Sequence, residues 1–202
     1  QGIKHYGFDV GGPLVKGTAW YWGSYGTQDI KVGVVGFYKN TPACRPGGSA
    51  LNARTADDEL IRSCLETDLT TLNNYNWKLT YVPFLNNRLN FQNTWAEKVR
   101  NARDASDTRP IETTFRQKAV SSDFGTFGWL TGPSPFWKAG DQHVINDRWL
   151  VDVMWSHLGN NFVLDFHEDE LRDVQARFET STSIWGRSYQ ASTFLRPTNS
   201  LD

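Results

Sequence analysis

"NYNWKLTYVPFLNNRLNFQNTWAEK", residues 74–98, alternates twice around a central pair of asparagines. In the first half Tyr75, Trp77, Leu79 and Tyr81 fall on one face, and Asn74, Asn76, Lys78 and Thr80 on the other. In the second half Leu89, Phe91 and Trp95 lie opposite Arg88, Asn90, Gln92 and Thr94. A period of two is the mark of a strand with unlike faces. Asn tolerates positive φ, so Asn86-Asn87 between two such runs predicts a tight hairpin turn. The only local threat to the facing is a bulge near Pro83.

The same design recurs on either side. In "FWKAGDQHVINDRWLVDVMWSH", residues 136–157, Trp149, Val151, Val153 and Trp155 alternate with Leu150, Asp152, Met154 and Ser156, and Asn146-Asp147 marks a turn. In "YGFDVGGPLVKGTAWYWGSY", residues 6–25, Tyr6, Phe8 and Val10 alternate with Gly7, Asp9 and Gly11, and Lys16-Gly17 leads into three adjacent aromatics. Between these hairpins the chain reads as long polar loops, from about Gly26 to Thr71, Arg100 to Pro133 and Leu158 to Ser192. A soluble β-sandwich shows turns at regular short spacing, and a compact domain rarely carries three loops this long. A transmembrane β-barrel has short turns at one end and long loops at the other. The expected fold is therefore all-β: an antiparallel up-and-down meander over residues 1–202, an open piece of a large transmembrane barrel with long extracellular loops. Trp20, Tyr21, Trp22 and Trp149 are expected in the aromatic girdle on the short-turn side. A soluble antiparallel sheet with an aromatic core is the competing reading.

The composition fits a wall better than a core. Of 202 residues, 39% are hydrophobic, yet there are 9 Trp, 7 Tyr, 12 Phe and one Met, and the mean hydropathy is -0.54. A net charge of -1 gives no field that favours nucleic acid. No apolar run is long enough for a transmembrane helix. Cys44 and Cys64 lie in a polar, Pro- and Gly-rich stretch. They are either two free thiols or one disulfide. The disulfide is favoured, because exposed thiols in loops are reactive and closing such a loop is worth roughly 3 kcal/mol. It implies an oxidising compartment.

Chemistry-bearing motifs are missing: there is no phosphate-binding glycine loop, nucleophile elbow or C-x-x-C. His5, His143, His157 and His167 are scattered, and "DFHEDELRD" at 165–173 reads as a solvated acidic loop. No catalytic, cofactor or metal residue is expected, and the chain is not expected to be an enzyme. Phe124, Phe127, Trp129 and Trp185 are candidate loop contacts for a ligand, or else pack the loops together.

The stretch "GFDVGGPLVKGTAWYWGSY" resembles the start of the barrel in TonB-dependent outer-membrane receptors, and most resembles the Oar-like subgroup, which carries a carboxypeptidase-regulatory-like domain. The residues that carry the likeness are Gly11, Gly12, Pro13, Leu14, Val15, Lys16, Trp20, Tyr21 and Trp22. "NARDASDTRP" (101–110), "SPFWKAGDQHVINDRWL" (134–150) and "HLGNNFVLDFH" (157–167) resemble later barrel segments of that group. The resemblance implies a location in the outer membrane of a Gram-negative-type bacterium. It implies import of a large, scarce solute such as a siderophore, glycan or peptide. The implied partners are outer-membrane lipid, an unknown extracellular ligand and, through a plug domain, the TonB complex. Signal sequence, plug, TonB-contacting box and terminal aromatic strand are not in this stretch, so it is expected to be roughly the first third of a barrel of about 22 strands. An adhesin- or secretion-linked barrel and a soluble extracellular carbohydrate-binding β-domain are the alternatives.

Overall fold

The computed structural model describes residues 2–48, 51–52, 54–118, 136–159, 162–167, 170, 172–186, 192–194 and 198–201. Four long strands come first: β1 (Gly2–Val15), β2 (Ala19–Tyr38), β3 (Leu65–Phe84) and β4 (Asn87–Arg103). Shorter ones follow: β5 (Phe115–Lys118), β6 (Phe136–Asn146), β7 (Trp149–Leu158), β8 (Phe162–Phe166), β9 (Phe178–Glu179), β10 (Ile184–Trp185), β11 (Ser192–Phe194) and β12 (Thr198–Leu201). One helix, α1 (Asp58–Cys64), precedes β3.

Every strand pairing is antiparallel. β1 to β4 lie side by side in chain order. β4 then meets two neighbours: β6 along Asn87–Thr94, and β5 at Arg100 and Arg103. Beyond these, β6 pairs with β7 and β7 with β12, while β5 pairs with β8 and β8 with β11. The two branches are halves of the same staves. Ser192 faces Leu164 and Thr198 faces Leu158, so β11 and β12 hold one register against β8 and β7. On the preceding stave Phe115 faces Phe166 and Phe136 faces Leu158; 21 positions on one chain stand against 8 on the other, and the 13-residue difference falls between Lys118 and Phe136. The result is an up-and-down meander of seven staves, the last three interrupted. Among the described residues β1 pairs only with β2, and β11 and β12 each have a single neighbour, so the sheet is open at both edges.

The tight turns share one end of the sheet and are tied together there. Val82 N–H donates to the carbonyl of Thr18 (2.7 Å), and Val144 N–H donates to the carbonyl of Asn86 (2.8 Å). Two turns sit one residue away from their expected place. Leu85-Asn86 makes the second, because Asn87 already pairs with Phe84. Asp147-Arg148 makes the third, with Asn146 Oδ1 accepting from the N–H groups of Arg148 (2.9 Å) and Trp149 (3.1 Å). Such an Asx turn is local chemistry that a strand-forming Asn supplies readily.

The long connections share the other end but are shorter than the sequence suggests. β2 continues to Tyr38 and β3 starts at Leu65, so the loop expected from Gly26 to Thr71 is confined to 39–64. β4 runs to Arg103, and β5 and β8 occupy parts of the other two expected loops. The residues with almost no exposure gather here: Phe37, Cys64, Ala102, Thr113 and Thr114, with Tyr38, Cys44 and Phe115 nearly as covered. Cys44 and Cys64 are disulfide-bonded, and Leu51 and Ile61 pack on the bond with Tyr38. Asp68 is buried and fully engaged, taking Arg100 Nε on one oxygen (2.5 Å) and the Ala102 N–H on the other (3.1 Å). Gly36 has a φ of 76° and lies so close to Asp107 that an added Cβ would come within 2.5 Å of the Asp107 Cβ; only glycine fits both demands.

Candidate functional site

Cross-strand partners in a sheet project to the same side, so the register assigns every side chain a face. On one face the rows are apolar. Phe8, Tyr25, Tyr75 and Trp95 form a single row across four strands. Tyr75 and Trp95 stack at 4.8 Å, and Phe8 lies 6.1 Å from Tyr25. Nearer the turns come Tyr21, Leu79, Phe91, Ala139 and Trp155, then Tyr81, Leu89 and Val153. Trp77 meets the edge of Trp137 at 5.7 Å. The bulge at Val82-Pro83 shifts the alternation by one, which returns Phe84 to this face opposite Asn87. These rings are not covered: Phe8 is 67% exposed, Tyr75 42% and Trp149 66%.

On β2 to β4 the belt ends, on the side away from the turns, at a polar row, in which β1 still places Tyr6 beside Thr27. One row beyond Tyr25, Tyr75 and Trp95 stand Thr27, Asn73 and Glu97. Thr27 Oγ1 donates to Asn73 Oδ1 (2.7 Å) and Asn73 Nδ2 to Glu97 Oε2 (3.4 Å), with Thr71 to Asp29 (2.8 Å) one row further. From Tyr75 to Phe84 the strand covers about 30 Å, or roughly 21–25 Å when inclined by the 35–45° usual in membrane barrels. The apolar belt is interrupted between β4, β6 and β7, where Asn87, Asp141 and His143 share this face and hydrogen-bond to one another.

The opposite face is polar. Asn76 reaches Ser24 (3.1 Å), Thr80 reaches Asn90 (3.1 Å) and Gln142 reaches Asp152 (3.3 Å). Lys78, Gln92, Lys138 and Met154 join these groups around a shallow cavity of about 280 Å³. Of the residues that carry the family resemblance, Gly12 and Tyr21 are on the apolar face, whereas Gly11, Pro13, Trp20 and Trp22 are on the polar one. The expected three-residue girdle is thus split. Adjacent strand residues must diverge, so only Tyr21 and Trp149 of the four belong to the belt, and Trp20 and Trp22 stand among Thr80, Lys78 and Arg88. Pro13 sits on edge strand β1 beside a bulge, the kind of place where a sheet tolerates proline. Lys16 lies in the first turn, where Thr18 N–H bonds the carbonyl of Val15 (3.0 Å).

The long-connection end carries a second feature. β9 and β10 form a hairpin whose Trp185 N–H donates to the carbonyl of Thr108 (3.0 Å). The Trp185 ring lies 4.8 Å from the Arg109 guanidinium and 4.9 Å from the Phe178 ring. A cavity of about 800 Å³ opens between this hairpin and the neighbouring connections. Glu179 accepts from the hydroxyl of Ser181 (2.7 Å) and from its N–H (3.3 Å), which holds its carboxyl below the usual range. Arg45 is buried, donating to the carbonyls of Asp107 (3.0 Å) and Tyr38 (3.4 Å); burial lowers its pKa, opposed by the charges of Glu112 and Asp107. Phe124, Phe127 and Trp129 lie outside the described residues. Asp165, read from the sequence as part of a solvated loop, is buried in β8 and pairs with Arg172 (3.0 Å). Trp185, a candidate loop contact from the sequence, lines this groove, but the hairpin around it was not read, since "RFETSTSIW" offers only a polar turn between two aromatic ends.

Among the described residues no three His, Cys, Asp or Glu side chains are grouped to hold a metal, and no helix is long and apolar enough to cross a membrane. Neither a family model, nor a curated protein, nor a solved structure matches the chain.

Proposed function

We propose that these staves are a section of the wall of an outer-membrane β-barrel of the TonB-dependent receptor kind, a protein that binds a large, scarce solute outside the cell and carries it inward. The observation that carries the membrane part is the bare aromatic belt. Soluble monomers rarely leave contiguous apolar surface of this extent uncovered. Staves of 14 to 20 residues also exceed the usual strand length. A belt close to 25 Å tall with an aromatic border, a polar opposite face, short turns at one end and long connections at the other is the pattern of a barrel wall. Transport rather than another outer-membrane role rests on the resemblance around Gly11–Trp22. In this reading the chain performs no bond chemistry; it supplies wall and outer surface.

Two experiments test it. In the protein reconstituted in vesicles, variants retaining only Trp77 or only Trp22 are exposed to lipids brominated on their acyl chains. Trp77 fluorescence should be quenched strongly and Trp22 fluorescence little; equal quenching contradicts the wall. For transport, solute uptake by cells should vanish when the inner-membrane TonB complex is deleted. Undiminished uptake would leave a barrel with a different task.

A further inference from the structure

The groove at the long-connection end is assembled from three separate pieces of chain. Asn40 comes from the 39–64 connection, Glu112 from the 104–114 connection, and Phe178, Glu179, Ser181 and Trp185 from the β9–β10 hairpin. The pieces are fixed to one another before any ligand arrives. Trp185 N–H is bonded to the carbonyl of Thr108, Gly186 N–H closes the hairpin on the carbonyl of Arg177 (3.0 Å), and Asn40 Nδ2 is tied to Glu112 Oε1. A preassembled site spends little of its binding energy on ordering loops. Its volume of about 800 Å³ is within the range of small-molecule sites.

The lining chemistry narrows the occupant. Trp185 is braced between Arg109 and Phe178, and Phe178 itself is 48% exposed. Around that ring stand acceptors and hydroxyls. Each carboxylate already holds a donor, Glu112 from Asn40 and Glu179 from Ser181, so each is oriented and half-satisfied. That suits it to accept from hydroxyl groups more than to neutralise a free ammonium. An anionic occupant is disfavoured, because Glu112 and Glu179 outnumber the one basic lining residue, Arg177. A ring with an apolar flank and many hydroxyls matches an open aromatic edged by carboxylate, amide and hydroxyl groups.

We infer that this groove binds a neutral oligosaccharide. The inference deepens the receptor reading, on which it rests for the groove's role as the place where solute is first held. The protein is purified in a sugar-free detergent, and its folded state is read separately from heat-modifiable gel migration. Calorimetric titrations use maltohexaose, cellohexaose and mannohexaose as probes, with hexalysine and hexagalacturonate as charged comparators. At least one neutral probe should bind, and Phe178→Ala and Glu112→Gln should each weaken it by about tenfold or more. Lys78→Leu, on the polar face away from the groove, should leave binding unchanged. Folded protein that binds none of the neutral probes up to millimolar concentration overturns the inference. So does binding of only the charged probes, or sugar binding that neither groove variant alters. Sugar binding by a protein that is soluble without detergent would uphold the groove and sink the receptor reading.

Discussion

At the long-connection end Phe37, Cys64 and Thr113 have no exposed surface, while at the turn end Phe84 and Leu85 stand 69% and 106% exposed. The contrast runs through the molecule. The connection end is built like a small soluble domain: a disulfide, an ion pair on the buried Asp68, a helix and a few covered apolar residues. The belt is built the other way: its large apolar side chains are exposed, most of them on one face, and Ser, Asn, Gln and Lys share the opposite face with Trp20 and Trp22. One chain therefore follows two solvent rules. In the proposed membrane setting the belt is in contact with lipid, and the rule for which residues face outward inverts at the row of Thr27, Asn73 and Glu97.

The comparison can be broken most directly at the centre of the belt. Leu79 stands between Tyr21 and Phe91, and Leu79→Arg should cost about 2–4 kcal/mol near a bilayer midplane. The measurement is the yield of heat-modifiable folded protein in outer membranes. Lys78→Leu, one residue away on the other face, should be mild; comparable losses would erase the two-rule picture. Next comes the disulfide. Replacing Cys44 and Cys64 together with Ser should remove roughly 3 kcal/mol of restraint from the 39–64 connection. Limited proteolysis should then cut that connection sooner while the gel shift of the folded protein persists. Loss of the gel shift as well would mean that the cap and the belt fold as one unit.

Asp68→Ala sharpens the boundary between the two regions. It leaves Arg100 Nε and the Ala102 N–H without their acceptor, an expected loss of about 1–3 kcal/mol. Hydrogen exchange should rise around Ala102 and not around Trp77. The smallest effect concerns pH. The carboxyl of Glu179 is depressed by hydrogen bonds from Ser181, so the contact is present above the ordinary carboxylate range and is lost as pH falls through the folded value. Chemical shifts of the Ser181 amide should move below about pH 4.5, with no change in the belt. A belt that titrates in step would contradict their independence.

What could be read from the sequence follows the same division. Tyr75, Trp77, Leu79 and Tyr81 were legible because the two faces of that strand meet different surroundings, which enforces alternation. "GTQDIKVGVVG", residues 26–36, belongs to the same strand as Tyr21, yet it reads as loop. Beyond the belt its cross-strand neighbours mix polar and apolar on both faces, with Ile30 beside Ile3 and Thr70, Gln28 beside His5 and Leu72, and Lys31 beside Leu69, so no period of two is required. Trp20 and Trp22 were misplaced by grouping neighbours instead of applying the alternation strictly. The helix Asp58–Cys64 was missed because seven residues give barely two turns of pattern, although Asp58 and Glu59 in its first turn are a proper start signal. Of the groove only Trp185 could be read, as an aromatic side chain in a loop. The groove joins Asn40, Glu112 and Phe178 across long stretches of sequence, and only the sheet register brings their connections to one place.

Beyond the aromatic row, β2 and β3 stay paired from Tyr25 and Tyr75 as far as Gly33 and Thr67. That is eight residues, about 26 Å of ladder along the strand. In the proposed orientation this ladder is a pedestal. It lifts the disulfide-bound cap and its groove clear of the lipid by a distance approaching the thickness of the belt itself. A chain end of a polymer fixed to some other surface can then reach the groove without the rest of that surface touching the membrane. The same height puts a cost on the protein: its outermost hairpin is the part that proteases, antibodies and other foreign molecules meet first.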